Sequence, residues 1–153
     1  YNSRIIATVR NPINAVASHI SSMMAGAAVF DNDTRGDEFR DQMIAVQRYA
    51  YTHVLEILGG KDENAFRIVC MEDLQQALSA TVLSLYQWLG EPMTPAFAAY
   101  LLGRDREQKR YQSGHHYDLA EYGLSEAEIY EQFRDVFEKL GYAVPADGVQ
   151  NFN

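Results

Sequence analysis

The feature that most constrains the fold is a short apolar segment followed at once by a helix signal. Residues 4–9 read RIIATV, a β-branched run that is typical of a buried parallel strand. Asn11 is a good N-cap and Pro12 suits the first helical position. Apolar residues then recur at helical spacing, at Ile13, Val16, Ala17, Ile20, Met23, Met24 and Ala27. The sequence therefore predicts a strand, a tight turn and a helix over residues 4–27.

The same patterns predict further helices separated by one more strand. Helices are expected over residues 38–58, 80–89 and 95–102, with a last one behind a capping box at residues 125–128, and a strand over residues 65–71. The apolar stripe expected for the second helix is Phe39, Met43, Val46, Ala50, Val54 and Ile57. The stripe expected for the last helix is Ile129, Phe133, Val136, Phe137 and Leu140. Strands alternating with helices indicate a helix-rich α/β fold with a parallel sheet, and residues 1–153 are predicted to form a single, partial domain.

Composition excludes several classes of protein. The chain has 13 basic and 21 acidic residues, a net charge of −8, which argues against general nucleic-acid binding. Its 47% hydrophobic content is that of a globular protein, and a single cysteine cannot form an internal disulfide.

The positive charge is local: residues 1–30 contain two arginines and no acid, and residues 104–116 contain four bases against two acids. These two basic islands are where the sequence predicts an anionic ligand.

Arg10 stands where the first strand ends and the first helix begins. Ligands of open α/β sheets bind outside the carboxyl ends of strands, and a helix N-terminus there favours phosphate. The planar guanidinium pairs phosphate oxygens bidentately. Ser18 shares a small, polar helix face with Asn11, Ala15 and Ser22. The alternative is that Arg10 pairs with a surface carboxylate and Ser18 is solvated.

Four segments, in order along the chain, resemble PAPS-dependent sulfotransferases, the broad group that includes tyrosylprotein sulfotransferases and bacterial enzymes. The first is the strand followed by Arg10-Asn11-Pro12, with Ser18 eight residues after the arginine, which resembles the segment that binds the 3′-phosphate. The others are residues 68–74 (IVCMEDL), residues 85–90 (LYQWLG), and residues 116–119 with 122–125 (HYDL and YGLS). In the second segment the resemblance implies a structural turn at Glu72-Asp73. The resemblance covers residues 4–142.

The resemblance implies a P-loop NTPase-like three-layer fold and a sulfuryl transfer. The donor cofactor would be 3′-phosphoadenosine-5′-phosphosulfate (PAPS), the product 3′,5′-adenosine bisphosphate (PAP), and the acceptor a hydroxyl or an amine. By that resemblance Arg10 and Ser18 bind the 3′-phosphate. Family members often close the cofactor site with a basic C-terminal loop, which makes Lys109, Arg110 and His116 candidate ligands. The alternative for this loop is a solvated charged turn.

The chain departs from the family pattern in one important respect. No G-x-x-x-x-G-K-[ST] pattern occurs, and only nine residues precede Arg10. We therefore expect the N-terminal P-loop strand, the 5′-phosphosulfate loop and the catalytic base to be missing from this chain, which would be the C-terminal part of a sulfotransferase. No catalytic residue and no metal ligand is assigned.

Two rival functions stay open from the sequence. One is a non-catalytic helical interaction or scaffold domain that keeps the fold without binding the donor. The other is a different P-loop enzyme, which the missing Walker residues disfavour. The acceptor is not specified, because acceptor pockets vary by their loops. The single cysteine and the absence of a visible targeting sequence or long apolar run predict a cytoplasmic location without a membrane segment, and the alternative is that a missing N-terminus carries a targeting or anchor segment.

Overall fold

The computed structural model describes residues 3–30, 37–59, 64–108 and 118–146. Its elements, in chain order, are strand β1 (Ile5–Val9), helices α1 (Pro12–Val29) and α2 (Asp37–Gly59), strand β2 (Phe66–Cys70), helices α3 (Met71–Leu89) and α4 (Pro95–Gln108), a short 3₁₀ helix (Leu119–Tyr122) and helix α5 (Glu126–Leu140). The chain divides into two compact units, residues 1–10 with 60–115, and residues 11–59 with 116–153. A single partial domain over residues 1–153 remains a prediction.

The first unit contains the sheet. Strands β1 and β2 pair in parallel, with Ile5 opposite Phe66 and Val9 opposite Cys70. Val9, Phe66 and Val69 are buried, whereas Ile5 is 45% exposed at the start of β1. The predicted parallel pairing is confirmed, but the burial expected for the first strand is wrong, because Ile6 is also 40% exposed and Val9 is the one buried residue of β1.

Helix α3 begins directly after β2, and it is not regular. Glu72 and Asp73 occupy its first turn, so the structural turn expected at this pair is wrong. The helix is interrupted at Ala77, whose φ of −148° and ψ of 58° are not helical. The backbone N–H of Ser79 donates to a carboxylate oxygen of Asp105 on α4 (3.1 Å), and the Ser79 hydroxyl donates to the other oxygen. Asp105 thus caps the second segment of α3 from a neighbouring helix, as an N-cap residue would.

The ends of the helices in both units follow the predicted signals. Thr94 Oγ1 accepts from the N–H of Phe97 at the start of α4, although this helix runs six residues further than predicted, to Gln108. Both halves of the capping box between Ser125 and Glu128 are formed at the start of α5. Gly90 and Gly141 end α3 and α5 with φ of 72°, in the left-handed region that glycine adopts without strain.

The second unit is a bundle in which α1, α2 and α5 pack against one another. Its core contains Val16, Ala17 and Ile20 from α1, together with Ile129, Phe133, Val136 and Phe137 from α5. These α5 residues confirm four of the five predicted positions as fully buried. Rings reinforce the packing, since Tyr51 meets Phe133 edge-on with centroids 5.8 Å apart.

The stripe expected for α2 is wrong. The buried residues of this helix are Ile44, Tyr51 and Leu55, whereas Val46 from the predicted stripe is 52% exposed. Apolar residues occupy two neighbouring faces of α2, so periodicity alone does not choose between them. Contact with Phe133 of α5 selects the face that carries Tyr51.

The described residues show a helix-rich α/β protein with a parallel two-stranded sheet. That much of the predicted fold class is confirmed, while the three-layer P-loop NTPase-like arrangement remains a prediction. Within the described ranges, no helix is both long enough and apolar enough to cross a membrane.

Candidate functional site

Arg10 follows Val9, the last residue of β1, and it is the last residue of the segment 1–10 that belongs to the first unit. The residue is half-buried. Its place at the carboxyl end of a parallel strand is the one that the sequence predicts. A guanidinium offers paired N–H donors that match phosphate oxygens, and the carboxyl ends of parallel strands are common ligand sites.

The start of α1 is capped by its own chain. The side-chain oxygen of Asn11 accepts from the N–H of Ile13 (2.9 Å), which confirms the predicted N-cap, and Pro12 has no N–H. The first four N–H groups of a helix normally lack a partner within the helix. At the start of α1, Pro12 has no N–H and the N–H of Ile13 is already bonded, so neither residue offers a donor to an anion. An anion at this terminus would depend more on side chains than the sequence argument assumes.

Ser18 lies in the second unit, on the half-buried side of α1. The carbonyl oxygen of Ser18 accepts from the hydroxyl of Ser22, one turn later, at 2.8 Å. The opposite side of the helix is fixed in the bundle by Val16 and Ile20. Ser18 is half-buried and lies one turn before Ser22 on the small, polar face that the sequence predicts.

His19, beside Ser18, ties α1 to α2. Its Nδ1 lies 2.9 Å from Nε2 of Gln47, and both residues are half-buried. The two side chains are thus within hydrogen-bond distance of each other. Sequence reasoning missed this pair, because two polar residues 28 positions apart carry no local signal of contact.

The second basic island is only partly described. Arg104 and Arg106 belong to α4, and Arg104 donates to Glu107 one turn along at 2.5 Å with both side chains more than half exposed. Residues 104–108 therefore belong to a helix, and neither the loop nor the charged turn expected from the sequence is correct for them, although their charges are solvated. The candidates Lys109, Arg110 and His116 lie outside the described residues.

The first unit contains a polar pocket that the sequence analysis did not anticipate. Its volume is about 210 Å³, and it lies between β2 and the interrupted helix α3. One arginine, one aspartate, one glutamine, two hydroxyl residues and three apolar residues line it: Arg67, Ile68, Val69, Asp73, Gln76, Ala77, Thr81 and Ser84. No motif marks this pocket, because it exists only where α3 breaks at Ala77.

Arg10 and Ser18 belong to different units, and each is placed by its own unit: Arg10 by strand β1, Ser18 by the bundle around α1. Within the described ranges, no group of three His, Cys, Asp or Glu side chains is arranged to hold a metal ion. The chain matches no protein-family model, no curated protein and no solved structure.

Proposed function

We propose that this chain supplies the 3′-phosphate-binding part of a PAPS-dependent sulfotransferase. In that reaction the bond between the sulfur and the phosphate oxygen of PAPS breaks and a bond from sulfur to the acceptor oxygen or nitrogen forms. The acceptor loses a proton, and 3′,5′-adenosine bisphosphate leaves. Arg10 and Ser18 are assigned to binding the donor, and neither is assigned a catalytic role.

The observation that carries the proposal is the junction of β1 and α1. The strand ends at Val9, Arg10 follows, and Asn11 caps a helix that begins at Pro12. The segment Arg10-Asn11-Pro12 carries the resemblance to the family, and it lies between the end of a strand and the start of a helix. Such junctions in parallel α/β proteins are common sites of phosphate binding.

The chemistry of the two side chains supports the same ligand. A guanidinium offers paired N–H donors to two oxygens of one phosphate, and a serine hydroxyl offers one more. Because Asn11 and Pro12 reduce the main-chain donors at the helix start, Arg10 would supply most of the binding energy for the 3′-phosphate.

The test compares 3′,5′-adenosine bisphosphate with 5′-AMP, which lacks only the 3′-phosphate, by calorimetric titration of the natural full-length protein. We expect tighter binding of the bisphosphate, and we expect Arg10→Ala to weaken it by about tenfold to a hundredfold, the range of a hydrogen bond to a charged group. Ser18→Ala should weaken it less, since the serine hydroxyl is a neutral donor.

The controls separate the 3′-phosphate from the rest of the nucleotide. Arg10→Ala should leave the affinity for 5′-AMP unchanged, and Arg134→Ala, an exposed arginine on α5 outside both basic islands, should bind both nucleotides as the wild type does. Equal affinity of the wild type for the two nucleotides contradicts the proposal. No binding of either nucleotide favours the non-catalytic interaction domain instead.

A further inference from the structure

The polar pocket of the first unit, between β2 and α3, has walls that are already internally bonded. The Thr81 hydroxyl donates across the break at Ala77 to the carbonyl oxygen of Asp73 (3.2 Å). The Ser84 hydroxyl donates to the carbonyl oxygen of Thr81 (2.8 Å). Each hydroxyl donates its only proton within the wall, so its oxygen can take part in further hydrogen bonds only as an acceptor.

The pocket's cation is weakly bonded. The half-buried guanidinium of Arg67 makes one hydrogen bond among the described residues, to the carbonyl oxygen of Ser84, and at 3.5 Å it is long. A guanidinium carries five N–H donors, and partly buried donors without partners cost free energy. The remaining donors of Arg67 fit a carboxylate, which accepts two of them at once.

The pocket's anion is also without a partner of its own. The carboxylate of Asp73 makes no hydrogen bond or ion pair with any residue in the described ranges, and it does not pair with Arg67. The pocket therefore offers N–H donors at Arg67 and acceptors at Asp73, Thr81 and Ser84. A volume of about 210 Å³ is smaller than the roughly 300–1,000 Å³ of sites for drug-sized ligands.

We propose that this pocket binds a small zwitterion of the amino-acid type. The carboxylate of the ligand pairs with the guanidinium of Arg67, and its ammonium group donates to the Asp73 carboxylate and to the hydroxyl oxygens of Thr81 and Ser84. The volume of about 210 Å³ leaves room for a small ligand side chain only. The site lies wholly in the first unit and does not rest on the proposed sulfotransferase function.

The experiment is a titration of the whole chain with the twenty free amino acids, one at a time, followed by two-dimensional NMR and thermal unfolding. Acetate and methylamine serve as probes for the two halves of the ligand, and inorganic phosphate as a probe for simple anion binding. We expect at least one small amino acid to bind saturably and to raise the melting temperature. We expect acetate and methylamine to bind more weakly than that amino acid by about tenfold or more, because each makes half of the contacts.

Two variants test the assigned contacts. Arg67→Gln should weaken binding by about tenfold or more, whereas Arg106→Gln, an exposed arginine of the same unit, should bind like the wild type. Asp73→Asn keeps the size of an exposed side chain and the fold, and it should weaken amino-acid binding while leaving acetate binding unchanged or tighter. This second variant decides the question if Arg67→Gln does not fold.

Several outcomes overturn the proposal. The first is that no amino acid binds saturably at constant ionic strength. The second is that phosphate or acetate binds as tightly as the best amino acid. The third is that Asp73→Asn binds the amino acid with unchanged affinity. Arg10→Ala should leave amino-acid binding intact, so loss of nucleotide binding and loss of amino-acid binding are separate results.

Discussion

The ion pair between Arg48 of α2 and Asp135 of α5 allows a quantitative test of the bundle. Two nitrogens of Arg48 donate to the two oxygens of Asp135, at 2.6 and 2.9 Å, and the guanidinium lies 5.7 Å from the ring centroid of Phe133. The side chains of the pair are 35% and 42% exposed, so water screens part of the attraction. Exposed pairs contribute about 0–1 kcal/mol, and the bidentate geometry places this one near the top of that range, at about 1 kcal/mol.

The perturbation is Asp135→Asn, which keeps the shape of the side chain and removes its charge. Hydrogen bonding from Arg48 holds the pKa of the Asp135 carboxyl below its usual value. Because the pKa is lower in the folded state, this carboxylate stabilises the fold above its unfolded pKa, near 4, and the contribution is lost as the pH falls through the folded pKa. The variant should be about 1 kcal/mol less stable than the wild type at pH 7, and the difference should shrink toward zero below about pH 4.

The assay is urea unfolding followed by circular dichroism at several pH values, with Arg48→Met and the double variant completing a double-mutant cycle. Glu131→Gln is the matched control, because Glu131 pairs with Arg134 within the exposed face of α5 and should leave stability unchanged. A zero coupling energy between Arg48 and Asp135 at pH 7 refutes the reasoning, as does an equal stability difference between wild type and Asp135→Asn at pH 7 and pH 3.

Two further predictions concern packing and capping. Phe133→Ala removes a fully buried ring and should lower the free energy of unfolding by about 3–5 kcal/mol, whereas Phe30→Ala at a 77% exposed position should change it by less than about 0.5 kcal/mol, both measured by urea unfolding. Asp105→Ala removes the cap of the second segment of α3 and should cost about 1 kcal/mol in the same assay. Ser79→Ala should cost less, since it leaves the bond from the backbone N–H to Asp105; an equal or larger cost would show that the cap does not act through that N–H.

The sequence predicted several helix ends correctly, but it placed the start of α3 nine residues too late and the end of α4 six residues too early. Asn11, Thr94 and the Ser125–Glu128 box mark helix starts, and Gly90 and Gly141 mark helix ends. Each of these signals acts through atoms within one turn of the residue that carries it. Local hydrogen bonding and left-handed backbone conformations depend on residue type at known positions, so they can be predicted without a partner.

The candidate ligands for the anionic cofactor were predicted only in part. The positions of Arg10 after β1 and of Ser18 on a small helix face follow from the order of strand and helix in the sequence. The loss of main-chain donors at the start of α1 also follows from the sequence, because Asn11 is the predicted N-cap and Pro12 has no N–H. The polar pocket of the first unit was not predicted, since β2 and α3, which line it, meet only in the folded protein.

By itself, then, the sequence determined the identity of the elements, the parallel pair of strands and most helix ends. Only the tertiary structure decided which face of α2 is buried, that α3 starts directly after β2, and that α3 breaks at Ala77. Alanine favours helix more than any other residue, so nothing local predicts a break there. The partners are distant in sequence: Asp105 lies 26 residues from Ser79, and Asp135 lies 87 residues from Arg48. Burial and capping by distant residues depend on which elements pack together, and no local pattern in the sequence contains that information.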